Sequence, residues 1–197
     1  MEASTAVEMD KNKPEKNKRR KMSVQDMCLI GIFTGIICVL GQISIPMPYG
    51  VPMTLQTFAV PLAGVMLGAK RGGIATLIYV ILGAIGVPVF AGFTGGFGHI
   101  AGPTGGFILS FPLMAVAAGI GAGAGNKVWL AGGLVVGAVV NYLCGMFMFS
   151  LVTANNLVFA FTACVLPFIP TSIIKIVLVA VLGANVKKVL AKRGLAV

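Results

Sequence analysis

The amino-acid sequence predicts an all-α membrane protein of six transmembrane helices with both termini in the cytoplasm, and three observations support that fold class. Hydrophobic residues make up 57% of the 197 residues and charged residues only 10%, whereas an ordinary globular domain is about 25% charged. The mean hydropathy of +0.98 is typical of a chain whose solvent is largely lipid. The basic residues also alternate across the connections between long apolar runs.

Six apolar runs are candidate spans, because about 20 mostly apolar residues are needed to cross a bilayer. The second and third runs are short and are separated only by Lys70-Arg71-Gly72-Gly73. A further segment, 151–166, is almost as apolar but contains Asn155-Asn156, so a loop and an outer re-entrant helix both remain open for it. In chain order the six runs cover residues 24–44, 54–69, 72–90, 106–124, 128–150 and 168–187.

The distribution of Lys and Arg assigns a side of the membrane to each connection. Basic residues lie in the N-terminal tail, in the loops between runs two and three and between runs four and five, and in the C-terminal tail. The other three connections, residues 45–53, 89–105 and 151–166, contain no Lys or Arg. Because cytoplasmic loops carry the excess of basic residues, both termini are predicted to be cytoplasmic.

The same pattern predicts three parts along the chain. Residues 1–22 form a disordered basic cytoplasmic tail that anionic lipid head groups would attract. Residues 23–190 form the six-helix membrane domain, and residues 191–197 form a basic cytoplasmic tail. A basic segment before an apolar run also fits a signal peptide, but no Ala-x-Ala cleavage pattern follows Leu40. We therefore favour a retained tail.

The charged and sulfur-containing residues exclude several function classes. All five acidic residues lie within the first 26 positions, and none occurs from Met27 to Val197, so the body of the chain lacks paired carboxylates for acid–base catalysis and an acidic proton relay. No Gly-Lys-Ser/Thr of a phosphate-binding loop occurs. The four cysteines lie in apolar runs without C-x-x-C spacing. These features disfavour an enzyme and a zinc site. A nucleic-acid partner is also disfavoured, because the basic residues form no continuous face.

One basic residue, Lys175, lies inside a predicted span, near its outer end. An intramembrane cation costs a few kcal/mol on insertion scales, and no acidic residue is available to pair with it. Pro170 suits the first turn of a helix, and Thr171 or Ser172 could cap that helix. A helix N-terminus with a lysine beside it favours an anion, so we predict that a small carboxylate binds here from outside. The alternative is that Lys175 snorkels to the outer interface.

The outer connection 89–106 has seven glycines among its 18 residues, interleaved with Phe90, Phe93 and Phe97. Glycine permits close backbone approaches, and aromatic side chains offer flat apolar surface for a ring. Irregular backbone at membrane depth survives only where it is buried or lines a cavity. We therefore favour a pocket lid over an ordinary flexible loop. The only histidine, His99, is interpreted as a hydrogen-bonding loop residue and not as a metal ligand.

Polar and small residues in other spans complete the set of candidates. Thr54 and Gln56 follow a proline-stiffened outer loop and offer hydrogen-bond donors and acceptors near the outer face. Asn141, in the fifth run, is the other buried amide and serves either a ligand or helix packing. Gly31 and Gly35 form a small-x-x-x-small pair in the first run. Such a pair lets another helix come close, from within the chain or from a partner.

Taken together, these residues resemble the BioY family, the biotin-binding S components of energy-coupling factor (ECF) transporters. The resemblance covers residues 23–190 and rests on three stretches, namely residues 51–57, residues 88–92 with 102–107, and residues 167–170 with Lys175. It implies an ECF S-component-like bundle in the cell membrane of a prokaryote, which takes up biotin from the extracellular side and has no cofactor. Biotin also fits the prediction made from the residues alone, and our hypothesis is that its carboxylate meets Lys175 while polar side chains meet its ureido group. Which end of biotin meets which cluster is left open, and the other candidate substrate-binding residues are Ser172, Phe93, Gly92, Thr104, Gln56, Thr54 and Asn141.

The resemblance also implies partner proteins. In that family a coupling transmembrane subunit and two ATPase subunits drive release of the vitamin, which fits the missing nucleotide motif. Gly31 and Gly35 match the small-residue pairs by which such S components contact the coupling subunit. The sequence departs from the family at one point, because the family commonly has an aspartate three positions before the lysine and Thr171-Ser172 stands there instead. A serine hydroxyl is a weaker, neutral acceptor, which bears on affinity and ligand preference.

A second function from another class remains open at this stage. Lys175 could be the selectivity charge of a passive channel or facilitator for a small organic anion.

Overall fold

The computed structural model describes residues 22–192, except for the side chains of residues 184 and 187–192. The predicted N-terminal tail therefore lies almost wholly outside the described residues, as does most of the predicted C-terminal tail. Seven helices and one short hairpin follow one another in the described range. They are α1 (Val24–Gly41), β1 (Ser44–Ile45), β2 (Met53–Thr54), α2 (Gln56–Ala84), α3 (Phe97–Ala101), α4 (Gly105–Gly123), α5 (Lys127–Thr153), α6 (Leu157–Cys164) and α7 (Ile169–Lys192).

Five helical stretches in the described range are long and apolar enough to cross a membrane. They are α1, α2, α4, α5 and the stretch Leu157–Gly183, which joins α6 to most of α7. The prediction of a largely helical chain with several candidate membrane spans is therefore confirmed, whereas such helices number five in the described range and not the predicted six. Two short 3-10 turns, Pro48–Gly50 and Leu166–Phe168, and the antiparallel pair β1–β2 account for the other regular backbone.

Helix α2 is folded back on itself at Gly68, whose backbone is non-helical (φ 80°, ψ 170°). In a straight helix Gly64 and Gly72 would lie about 12 Å apart, yet a Cβ placed on Gly72 would lie 2.6 Å from the Cα of Gly64. Away from this fold, Gln56 at the start of the first half forms a hydrogen bond to Tyr79 in the second half. The two halves of α2 therefore pack side by side, at the point where the sequence places its second and third apolar runs.

The segment 151–166, for which the sequence left two interpretations open, is mostly helical. Helix α5 continues to Thr153, and α6 begins after Asn156, whose side chain accepts a hydrogen bond from the backbone N–H of Phe159 at 2.8 Å. This is an N-cap, which satisfies one of the free donors at a helix start. A 3-10 turn then leads from α6 into α7.

Glycines allow α4 to pack closely against both of its neighbours. A Cβ on Gly64 would lie 2.0 Å from the carbonyl oxygen of Ala115 in α4, and a Cβ on Gly106 would lie 2.2 Å from that of Cys144 in α5. Such contacts require the absence of a side chain, as is common where membrane helices pack through small residues. The central core around α2 and α4 is formed by Ile37, Val60, Tyr79, Phe90, Phe111 and Met114.

Basic residues gather at the end of the bundle where α2 folds back. Arg71 Nη1 donates to Asp26 Oδ1 at 2.8 Å, which ties the start of α1 to this fold. A Cβ on Gly119, near the end of α4, would lie 2.3 Å from the backbone N of Ala69. The start of α5 is also close, because a Cβ on Gly121 would lie 2.5 Å from the carbonyl oxygen of Trp129. The hairpin β1–β2 lies at the opposite end.

We expect Gly64→Ala to destabilise the protein, because the new methyl group would overlap a backbone carbonyl that cannot move without shifting α4. Overpacking of this kind typically costs about 1–3 kcal/mol. The matched control is Gly132→Ala in α5, where a Cβ would meet nothing within 4 Å. Thermal unfolding of the purified variants in detergent measures the difference. Equal midpoints for Gly64→Ala and the wild type would contradict this packing.

Candidate functional site

A cavity of about 640 Å³ lies at the end of the bundle that is remote from the basic residues. It opens between the hairpin β1–β2, the start of α2, the glycine-rich connection before α4, and parts of α4, α5, α6 and α7. The cavity borders the start of α4 at Phe107, whereas the folded-back part of α2 contacts the end of α4 at Gly119. The cavity and the fold of α2 therefore lie at opposite ends of α4. Both the volume of the cavity and its mixture of apolar walls with few polar groups are usual for a small-molecule site.

The ammonium group of Lys175 lies in the wall of this cavity. Its Nζ donates to the carbonyl oxygen of Thr54 at 2.7 Å and to Thr57 Oγ1 at 2.9 Å. An ammonium has three N–H donors, so one donor remains for another acceptor. Within residues 22–192 the only acidic side chain is that of Asp26, which is bound to Arg71 at the other end of the bundle. The positive charge in the cavity wall is therefore solvated by neutral oxygen atoms alone.

Ser172 lies one turn before Lys175 on α7, so the two side chains share a face of the helix. The hydroxyl group of Ser172 forms a hydrogen bond with the phenol of Tyr142 on α5, and both residues line the cavity. Sequence reasoning missed Tyr142, because nothing in the apolar run of α5 indicates which aromatic residue faces inward.

Gln56 and Thr54 connect the cavity wall to the outer connection. Thr54 Oγ1 donates to Gln56 Oε1 at 2.9 Å, and Gln56 Nε2 donates to the hydroxyl of Tyr79. Tyr79 in turn donates to the carbonyl oxygen of Val89 at 3.1 Å. Gly41 lies against this junction, since a Cβ there would lie 3.2 Å from that carbonyl oxygen. Much of the hydrogen-bonding capacity of Gln56 is therefore used inside the protein.

The glycine-rich connection is anchored by Phe90, which is buried and lines the cavity. Its ring packs edge-on against Tyr79, with 5.7 Å between the ring centroids. The ring also lies directly over Gly83, where a Cβ would come within 2.1 Å of Phe90 Cζ. Only glycine at position 83 leaves room for this aromatic anchor.

Phe93 and Gly92, two of the predicted substrate-binding residues, do not line the cavity. The side chain of Phe93 is 73% exposed, and Gly92 beside it has a left-handed backbone conformation (φ 73°). Sequence reasoning could not distinguish Phe90 from Phe93, because an irregular loop has no periodicity that assigns a side to each residue. The other six predicted residues line the same cavity, and these are Thr54, Gln56, Thr104, Asn141, Ser172 and Lys175.

Gln42, at the end of α1, holds the outer connection from the other side. Its Oε1 accepts a hydrogen bond from the backbone N–H of Phe93 at 2.7 Å, and its Nε2 donates to the carbonyl oxygens of Cys38 at 3.2 Å and Pro88 at 3.4 Å. The connection is thus fixed to α1 by two of its backbone groups.

His99 lines the cavity, and its ring packs edge-on against Phe90 with 6.0 Å between centroids. Its backbone carbonyl accepts a hydrogen bond from Thr104 Oγ1 at 3.4 Å. Within residues 22–192, no three His, Cys, Asp or Glu side chains come together as a metal site would require.

Gly31 and Gly35 lie on an exposed face of α1, far from the cavity. A Cβ on either residue would meet nothing within 4 Å, so neither glycine is needed for packing inside the described chain. Both line a shallow apolar groove between α1 and the second half of α2, where Ile74, Ile78 and Leu82 form the other wall.

Comparison with known proteins identifies relatives over most of the chain. Residues 13–192 match the BioY family. A Pyrococcus horikoshii protein named "Probable biotin transporter BioY" is 46% identical over 155 residues, which are 78% of this chain and 91% of that one. A Thermotoga maritima "Biotin transporter BioY" is 38% identical over 164 residues, with 83% and 96% covered.

A solved structure has the same fold. It is the crystal structure of "the S-component for biotin from an ECF-type ABC transporter", with a TM-score of 0.77 and 26% sequence identity. The match covers 84% of this chain and 92% of that one.

We expect Gln42→Leu to release the outer connection, because the amide of Phe93 loses its acceptor while the side-chain volume is nearly kept. A net contribution of about 0.5–1.5 kcal/mol per hydrogen bond corresponds to roughly 2- to 12-fold faster amide exchange over residues 88–94. Hydrogen–deuterium exchange with mass spectrometry measures this in the purified protein. Gln25→Leu, at the other end of α1, is the matched control. Unchanged exchange in Gln42→Leu would show that Gln42 does not hold the connection.

Proposed function

The chain belongs to the BioY family, and on that premise we propose that it is the substrate-binding membrane component of a biotin transporter. This membership confirms the resemblance recognised in the sequence. The relatives from Pyrococcus horikoshii and Thermotoga maritima are named a probable biotin transporter and a biotin transporter, and the solved structure with the same fold is a biotin S component. Because the family consists of transporters, the prediction that the chain is not an enzyme is also confirmed. The chain is a multi-pass membrane protein, and we place it in the plasma membrane of a prokaryote.

The observation that carries this proposal is the unneutralised ammonium of Lys175 in the wall of a mostly apolar cavity. The carboxylate of biotin would supply the missing negative charge and occupy the third N–H donor of Lys175. Charge-assisted hydrogen bonds of this type are about twice as strong as neutral ones. Phe90, Phe111 and Phe168 line the same cavity and provide apolar surface for the fused rings.

The remaining predicted residues take three kinds of role in this proposal. Ser172 and Asn141 would contact the polar head of the ligand directly, as would Thr104. Thr54 and Gln56 would act mainly by holding Lys175 and the outer connection in position, since their polar atoms already bond within the protein. Gly92 and Phe93 would belong to the outer cover of the cavity.

We further propose six spans with both termini in the cytoplasm. The two halves of α2 would count as separate spans, so that the fold at Gly68 is a cytoplasmic turn. Lys70, Arg71 and Lys127 lie at that end of the bundle, and the positive-inside rule favours its cytoplasmic placement. The cavity would then open toward the extracellular side.

The proposed partners are a coupling transmembrane subunit and two ATPase subunits. The chain has no phosphate-binding loop of its own, so energy for release must come from other proteins. The groove that contains Gly31 and Gly35 is apolar and open, and its small residues would allow a partner helix to approach closely. We therefore assign the contact with the coupling subunit to this groove.

Binding of biotin to the purified protein tests the function, and we expect Lys175→Met to weaken it. A hydrogen bond to a charged group contributes about 1.5–3 kcal/mol, which corresponds to roughly 10- to 150-fold in Kd. Isothermal titration calorimetry measures the affinity. Lys70→Met, which removes a cation at the opposite end of the bundle, is the control and should bind as the wild type does.

Wild-type affinity in Lys175→Met would remove Lys175 from the binding site.

The same purified protein also distinguishes the proposed function, a transporter component, from the alternative function, a passive facilitator for organic anions. We expect saturable one-to-one binding with little flux of biotin through liposomes that contain only this protein. Rapid flux without saturable binding would favour the facilitator.

We expect Gly35→Leu to impair assembly with the coupling subunit while biotin binding by the isolated protein is unchanged, because the bulky side chain would fill the groove remote from the cavity. Gly132→Leu is the matched control, since Gly132 is also an exposed helical glycine at which a Cβ would meet nothing within 4 Å. Copurification with a tagged coupling subunit measures assembly. Equal copurification for both variants would place the partner contact elsewhere.

A further inference from the structure

The side-chain amide of Asn141 is almost wholly enclosed, with an exposed fraction of 1%, and yet it lines the cavity. Both of its N–H groups are directed toward α4. Asn141 Nδ2 donates to the carbonyl oxygen of Phe107 at 2.9 Å and to Ser110 Oγ at 2.8 Å. The amide therefore ties α5 to α4 through its nitrogen alone.

The oxygen of the same amide has no such partner. No described residue donates a hydrogen bond to Asn141 Oδ1. Every fully enclosed side-chain polar atom in the described range has a hydrogen-bond partner, so Oδ1 is not fully enclosed. Since the residue borders the cavity and is otherwise enclosed, the cavity is the side from which Oδ1 remains accessible. An amide oxygen can accept up to two hydrogen bonds, so this oxygen is an unused acceptor in the cavity wall.

The orientation of the amide is fixed by its neighbours. The backbone oxygen of Phe107 can only accept a hydrogen bond, so the amide nitrogen must face it. Ser110 donates its own hydroxyl hydrogen to that carbonyl oxygen at 3.0 Å, which leaves the lone pairs of the hydroxyl for Asn141. If the amide were reversed, Oδ1 would face the Phe107 oxygen, and two acceptors would lie in contact. Asn141 therefore presents an acceptor to the cavity and no donor.

From this geometry we infer that Asn141 Oδ1 is a specificity-determining group that accepts a hydrogen bond from an N–H of the ligand. The inference rests on the proposed function, and it assigns to Asn141 one ureido N–H of biotin. A ligand that carries an ether or ester oxygen at that position would leave the buried Oδ1 unpaired and facing another acceptor. Leaving a buried polar group unpaired costs far more than a hydrogen bond gains.

The test compares biotin with its two cyclic carbamate analogues, in each of which one ureido N–H is replaced by a ring oxygen. The analogues keep the size of the ring and the carboxylate, so only the donor changes. We expect wild-type protein to bind one of the two analogues at least about tenfold more weakly than biotin, which is the effect of losing about 1.4 kcal/mol. Binding is measured by calorimetry on the purified full-length chain.

Two variants identify the residue responsible. In Asn141→Leu, which keeps the approximate volume but has no acceptor, the ratio of affinities between biotin and that analogue should fall to within about threefold. In Thr76→Val, a buried helix residue whose hydroxyl bonds only to Gly72 and Gly73, the full ratio should persist. An unchanged ratio in Asn141→Leu would overturn the assignment.

The wild-type measurement can overturn the inference even where Asn141→Leu does not fold. If wild-type protein binds biotin tightly and binds each of the two carbamates as tightly as biotin, no ureido N–H is recognised. The inference then fails while the proposed function stands. If wild-type protein does not bind biotin at all, the proposed function itself fails.

Discussion

The cavity is defined electrostatically by one lysine whose charge no described carboxylate neutralises. Lys175 lies in the wall of a cavity with only the Thr54 carbonyl and the Thr57 hydroxyl bound to it, and no carboxylate side chain occurs in the chain after Asp26. Holding an ammonium group in such surroundings costs free energy unless it is paired. An anionic ligand removes part of that cost when it binds, so empty and occupied forms of the site differ in stability. This charge imbalance is the physical reason to expect an anionic ligand at the site.

The same lysine is connected to the outer cover of the cavity through neutral hydrogen bonds. Its acceptor Thr54 bonds to Gln56, Gln56 to Tyr79, and Tyr79 to the carbonyl oxygen of Val89. The outer connection is therefore fixed to the element that also holds the ammonium group. Glycines at positions 41 and 83 make room for this junction and for the Phe90 ring. A continuous series of hydrogen bonds therefore connects the ammonium group of Lys175 to the outer connection.

Much of this arrangement could be predicted from the sequence, because lipid imposes strong rules on composition and charge. The apolar runs, the absence of acidic residues and the isolated Lys175 are all visible in the sequence, and six of the eight predicted substrate-binding residues line one cavity. Tyr142 was missed, and Phe93 lies outside the cavity that Phe90 lines, because orientation within an irregular loop or an all-apolar helix is set by tertiary packing. The break in α2 near Gly68 was predicted, because the second and third apolar runs are separated at residues 70–73. The close contact between Gly64 and Gly72 was not predicted, since it is set by tertiary packing.

A crystal structure of the protein with bound biotin would show which group of the ligand meets Lys175. We expect a carboxylate oxygen within about 2.7–2.9 Å of Lys175 Nζ, the usual length for a charge-assisted bond, with the fused rings against Phe90 and Phe168. A ligand whose carboxylate points out of the cavity, with Lys175 still bound only to Thr54 and Thr57, would contradict this expectation.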